Sequence, residues 1–235
     1  MSKTKLRPPL LNPSTMQGNI TNPDVPEVAG VLSALGQLTG LWDGLDAVRT
    51  TSDPLITKEA AALRYLDNYR KATALATQAV RSAGMKVLEA KDRLRHEARG
   101  RAGLLATYPD GQELRTVLRS MSQKDRDAAI LHAVSNGDHA VVAALQAHEL
   151  LVGHTSRPLK SIVDDFIAER APEEMSRIAD LDSAAEHLQL AWQMFAKSVE
   201  GMRDLQGERD GEQGTKAARE AEAKLGLALR GAAAP

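Results

Sequence analysis

Six histidines and thirty-one carboxylates are the side chains here that could bind a metal or move protons. Their spacing argues against both. No histidine has another three or four residues on, the spacing that places two metal ligands on one helix face; His132 and His139 are seven apart, and His148, His154 and His187 lie further along. His148-Glu149 and Asp164-Asp165 are adjacent pairs, and neighbouring helical residues point about 100° apart, so neither pair converges on one reacting atom. The chain has no cysteine, which excludes disulfides, thiolate-held zinc, iron–sulfur clusters and thiol catalysis. Phosphate loops, GxGxxG, HExxH, EF-hand and GxSxG motifs are all absent from the sequence. The expectation is a protein that is not an enzyme, with no catalytic residues, metal site or cofactor.

The basic run from Lys86 to Arg101 is the other candidate for chemistry. It holds Lys86, Lys91, Arg93, Arg95, Arg99 and Arg101, interrupted by Glu89, Asp92 and Glu97. A surface that tracks phosphates carries one sign of charge, with aromatics where single strands stack. Residues 70–107 contain no aromatic residue, and the whole chain balances 30 Lys+Arg against 31 Asp+Glu. Nucleic acid is a possible partner, not the favoured one.

The elements that would carry these residues are helices. The 235 residues include 37 alanines and only 3% aromatics, a composition that favours helix and leaves little bulk for a core. Residues 1–26 hold five of the ten prolines and read as an extended or disordered arm. Lys3, Lys5 and Arg7 lead into Pro8, Pro9 and Pro13 without an apolar run, so no signal peptide is expected. No apolar stretch reaches about 18 residues, so no transmembrane helix is expected.

Residues 27–49 predict a first helix with Val28, Val31, Leu35, Leu38, Trp42 and Leu45 on one stripe. Gly36, Gly40 and Gly44 form a second stripe at four-residue spacing. Each glycine costs about 1 kcal/mol in a helix relative to alanine, so three in register suggest close approach of another backbone. The same spacing marks membrane helix pairs, but Gln37, Thr39, Asp43 and Asp46 interrupt this one.

Two long helices carry heptads. Over about 55–101, Leu66, Thr73, Val80, Val87 and Leu94 recur every seven residues, with Ala62, Tyr69, Ala76, Ala83 and Ala90 beside them. Over about 172–206, Ile178, Ala185, Trp192 and Val199 recur, with Leu181, Leu188, Phe195 and Met202. A block of short helices fills 111–170: Ser122 with Asp125 reads as a cap, Asn136-Gly137 as a stop, and Asp138 as the next cap. Gly207 to Gly214 reads as a flexible linker before a short C-terminal helix, which makes 207–235 a separate tail behind a helical domain at 27–206. Residues 58–101 carry eleven Lys/Arg and five Asp/Glu; residues 160–186 carry three and eight. These opposite charges fit either an antiparallel pair within one chain or head-to-tail pairing between copies.

Residues 128–146 (AAILHAVSNGDHAVVAALQ) resemble the helix-turn-helix half of one ankyrin unit, but no second copy follows at 33 residues, which excludes an array. The whole layout, a Pro/Asn-rich arm, a helix with Gly36, Gly40 and Gly44, then long Ala-rich charged helices, resembles the small helical virion proteins of tailed bacteriophages, of the internal, ejection or scaffolding kind. The resemblance implies a non-catalytic part of a multi-copy assembly in the virion, or in the host cytoplasm during assembly. Its partners would be copies of itself and other virion proteins, with membrane a further possibility. The expectation is therefore an all-α, elongated helical bundle of two long heptad helices with a small cap. Gly36, Gly40, Gly44, Trp42, Trp192 and Phe195 are its partner-binding candidates. An intracellular helical adaptor is the competing class.

Overall fold

In a computed structural model, residues 6–18, 20, 26–51, 53–106, 108–146 and 149–232 are described. Lys3, Lys5, Pro23 and His148 lie outside them. Among the described residues every regular element is a helix and none is a strand, so the chain is all-α. A short 3-10 turn at Pro9–Leu11 precedes α1 (Pro13–Gln17), α2 (Pro26–Thr50) and α3 (Lys58–Arg101). Five shorter helices follow: α4 (Gly111–Ser120), α5 (Gln123–Asn136), α6 (His139–Ala144), α7 (Glu149–Val152) and α8 (Leu159–Arg170). The chain closes with α9 (Pro172–Glu200) and α10 (Leu205–Ala232). It divides into two compact units, Met1–Met85 with Ser183–Pro235, and Lys86–Asp182. The division falls within the helical stretch 27–206, and the heptad helices α3 and α9 each contribute residues to both units.

In the first unit, α2 and α3 pack together. The stripe Val28, Val31, Leu35, Leu38, Trp42 and Leu45 is buried on α2, and Ala62, Leu66, Ala76 and Ala83 are buried on α3. From α9 come Leu188, Ala191, Phe195 and Val199, also buried. Of the expected arm, the described residues 6–18 and 20 are held against the first unit. Asn12 caps α1 by accepting from the Ser14 amide at 3.2 Å. Leu11 and Met16 are fully buried. The Thr39 hydroxyl donates to the Leu11 carbonyl, and His187 Nε2 lies 3.0 Å from the Leu10 carbonyl oxygen. Four apolar residues at irregular spacing (Leu10, Leu11, Met16, Ile20) anchor this segment, and a periodic search cannot register them.

Gly207 to Gly214, expected as a flexible linker, is helix. The helix α9 stops at Glu200, short of the expected 206, and Asp204 starts the next one: its carboxylate accepts from the Gly207 amide at 3.0 Å. Glu208 then takes two hydrogen bonds from Arg203, at 3.0 and 2.7 Å. Glycine serves clearance here. A Cβ on Gly207 would stand 3.0 Å from Ala62 Cβ, and one on Gly211 would stand 2.8 Å from Leu63 Cγ and 3.1 Å from the Glu59 carbonyl oxygen.

The second unit closes around Phe166, Ile130, Leu118, Val142, Leu145, Val152, Leu159 and Val163, with Ala98 of α3 and Ala102 and Leu104 of the turn that follows it. Its caps follow the sequence. The Ser122 hydroxyl accepts from the Asp125 amide at 3.3 Å, and Asp138 accepts from Ala140 and Val141 at 3.0 and 3.1 Å. Gly137 sits at φ 72°, the left-handed end that lets the Asp138 amide reach back to the Ala133 carbonyl. Arg126 is buried, and its guanidinium donates to backbone carbonyls, those of Leu118 (2.7 Å), Met121 (2.8 Å), Arg119 (3.3 Å) and His154. It ties the α4–α5 turn to the segment before α8.

Three substitutions test these contacts. Arg126→Leu leaves several carbonyls without donors and should cost about 3 kcal/mol in urea unfolding. Gly211→Ala should destabilise by about 1–3 kcal/mol through overpacking. At Gly214, where a Cβ would meet nothing within 4 Å, the same change should stabilise by about 0.5–1 kcal/mol. Equal effects at the two glycines would refute the clearance argument.

Candidate interaction surfaces

Side chains with chemistry of their own are occupied by structural contacts. His139 Nδ1 lies 2.9 Å from the Ala102 carbonyl oxygen, and its ring meets Phe166 edge-on at 5.8 Å. His132 contacts Asn136 at 3.1 Å. Asp165 pairs with Arg157 at 2.5 Å while Asp164 faces Lys160 at 3.8 Å, so the adjacent carboxylates each have their own cation. Among the described residues no group of three or more His, Asp or Glu could hold a metal ion.

The basic run is largely neutralised. Lys91 pairs with Asp182; Arg101 pairs with Glu173 at 3.2 Å and with the buried Glu174 at 2.8 Å. Arg93 and Arg95 have Glu97 and Asp92 at 3.8 and 3.1 Å. In the second unit, therefore, α3 and α9 run antiparallel and the opposite charges of their sequences meet within one chain. Around Arg95, His96, Arg99 and Lys160 a groove of about 590 Å3 remains, with Ala98, Ile167, Met175 and Ile178 in its wall and Asp92 and Asp164 at its rim.

The six partner-binding candidates separate into two groups. Trp42 is 4% exposed and donates from Nε1 to Ser198 Oγ at 2.9 Å, and Phe195 is fully buried. Both belong to the interior of the first unit and neither is open to a partner. Trp192 is half-buried and stacks on Phe195, with 5.7 Å between ring centroids and 22° between planes. The heptad explains its position: Leu181, Ala184, Leu188, Ala191 and Phe195 are the buried line of α9, which leaves Trp192 on the flank.

Gly36, Gly40 and Gly44 form the other group. All three are exposed, and a Cβ on any of them would meet nothing within 4 Å. Among the described residues no backbone lies close beside them. Ala29, Ser33 and Ala47 on the same helix are exposed as well. The stripe borders a groove of about 610 Å3 between α2 and α3, lined by Gln37, Gly40, Leu41, Leu75, Gln78, Ala79 and Ser82. Every lining residue is uncharged in a chain that is 26% charged, and Leu75 is 56% exposed.

No family model, curated protein or solved structure matches the chain. Among the described residues no helix is long and apolar enough to cross a membrane.

A polar cluster of the first unit was invisible to motif searching because its members are far apart in sequence. The Tyr65 hydroxyl donates to the Val199 carbonyl at 3.0 Å, satisfying an acceptor in the last turn of α9. Asp46 and Arg49 pair at 2.7 Å on α2, and Arg203 lies over the Tyr69 ring at 5.2 Å. These groups close the junction of α2, α3, α9 and α10. Burial pushes the Tyr65 phenol above its ordinary value of 10, so the neutral form stabilises the fold. That contribution is complete below pH 10 and disappears as pH climbs toward the raised folded-state value. Unfolding free energy should fall above pH 10 by up to about 1.4 kcal/mol per pH unit. Tyr65→Phe should lower neutral-pH stability by about 1 kcal/mol and flatten that alkaline slope; an unchanged slope would mean that Tyr65 is not the group responsible.

Proposed function

We propose that this chain is a non-enzymatic structural protein that works as one copy among many in a helical assembly. The observation that carries the reading is the outer face of α2. Three helical glycines in register are exposed with open space beside them, next to an uncharged groove with Leu75 at its edge. The glycines let the backbone of a second molecule's helix come close along that line, with the Arg7–Asp43 ion pair (3.1 Å) at its flank. The layout resemblance to tailed-phage virion proteins supports an internal, ejection or scaffolding part, located in the virion or in the host cytoplasm during assembly. Other virion proteins are the further partners on this reading. Neutralisation of Lys91, Arg93, Arg95 and Arg101 by acidic neighbours disfavours a phosphate-tracking role.

Sedimentation velocity over about 1–100 μM, bracketing typical association constants, tests the reading. Wild-type protein should sediment as a concentration-dependent oligomer, and Gly40→Arg should shift it toward monomer at least tenfold. Gly36→Ala with Gly44→Ala should raise stability of the monomer by about 1–2 kcal/mol. A wild-type monomer throughout the range overturns the proposal.

A further inference from the structure

The helix α10 outruns its partner. Gly207 and Gly211 are buried against α3, one facing Ala62 and the other Leu63 and Glu59, so the two helices run antiparallel. The helix α3 begins at Lys58. Past that point every residue of α10 from Glu212 to Lys224 is exposed, on all faces, while the helix continues to Ala232. A helix of that length without tertiary contact is marginal in water.

The register that seats the first two glycines does not stop with them. Gly207, Gly211, Gly214, Ala218 and Ala221 alternate at four and three residues, the spacing of a seam between two helices. The seam is uncharged and small along its whole length. Of the charged residues Glu212, Lys216, Arg219, Glu220, Glu222 and Lys224, three of each sign, Glu222 borders the seam beside Ala218 and the others stand off it. In the turn just before α3, where α10 departs, Leu55 is 92% exposed.

We propose that the free length of α10 packs against the same length of a second copy of this chain, continuing the close contact that α10 makes with α3. An equal count of opposite charges lets the segment meet its own copy without net repulsion. Nucleic acid or an anionic bilayer would call for an excess of Lys and Arg, which this segment lacks. Pairing covers the seam and leaves the six charges in water. The contact extends the assembly reading, since it requires a second copy, but it uses a surface separate from the α2 face.

The test uses the full-length chain with Ala218→Glu and Ala221→Glu together on the seam, and Ala223→Glu on the opposite face of the same helix. Sedimentation should show self-association weakened at least tenfold by the seam pair and unchanged by Ala223→Glu, with helix content by circular dichroism falling only in the seam variant. Equal behaviour of the two variants overturns the contact. If the seam pair leaves the oligomer intact and Gly40→Arg disperses it, the α10 contact is wrong and the assembly reading stands. If wild type stops at a dimer that the seam pair splits, the contact stands and the multi-copy assembly does not.

Discussion

Small residues set the distance between the helices, and most other features follow from that distance. Thirty-seven alanines and few aromatics give each helix little area to bury. At roughly 25 cal/mol per Å2 of buried apolar surface, an alanine seam stabilises far less than a leucine seam of equal length. What it gains is proximity. Ala62, Ala76 and Ala83 on α3 are buried, and Ala184 and Ala191 on α9 lie beside Leu188 and Phe195 in the buried line. Where even alanine is too large, glycine takes its place, as at Gly207 and Gly211 against α3. Each bulky residue therefore fills space that its neighbours have left.

With so little apolar bulk, polar ties hold much of the geometry. Arg126 satisfies the carbonyls of a turn that no helix continues, and Tyr65 satisfies the end of α9. Arg203 joins Glu208 to the Tyr69 ring, and Asp204 opens α10 where α9 has ended. Such groups stabilise modestly when paired, and their loss costs more because the partner stays buried and unsatisfied. That asymmetry fixes the short helices of the second unit in one arrangement although several are under three turns long.

The regular parts of the fold were legible in the sequence because periodicity and capping are local. The α2 stripe, the α3 heptads, the Ser122 and Asp138 caps and the Gly137 stop all rest on residues within a few positions of each other. What escaped depends on partners distant in the chain. Leu11 and Met16 are buried by residues that no pattern near them announces. The glycines of 207–214 read as flexible because clearance and flexibility use the same residue, and only Ala62 and Leu63 distinguish the two. Trp42 and Phe195 looked like anchors for a partner for a related reason: a large aromatic at a heptad position fits an inner or an outer interface equally well. The division into two units left no sequence mark, since the helices that cross it are continuous.

The same residue type thus has opposite meanings at two places in this molecule. At Gly207 and Gly211 the helix-weakening cost of glycine is offset inside the chain by a neighbour that could not otherwise fit. At Gly36, Gly40 and Gly44 no such neighbour is found among the described residues, and the three together cost about 3 kcal/mol relative to alanine. Against a typical folding free energy of about 5–15 kcal/mol, that is a large fraction with no compensating contact in the monomer. A second backbone resting on the stripe would supply the compensation, because a helix can approach glycine more closely than any other residue and gain dispersion contacts along its length. The uncharged groove beside the stripe removes the desolvation cost that would oppose such an approach. On the proposed assembly reading, the cost of these glycines to an isolated molecule is offset in the associated one.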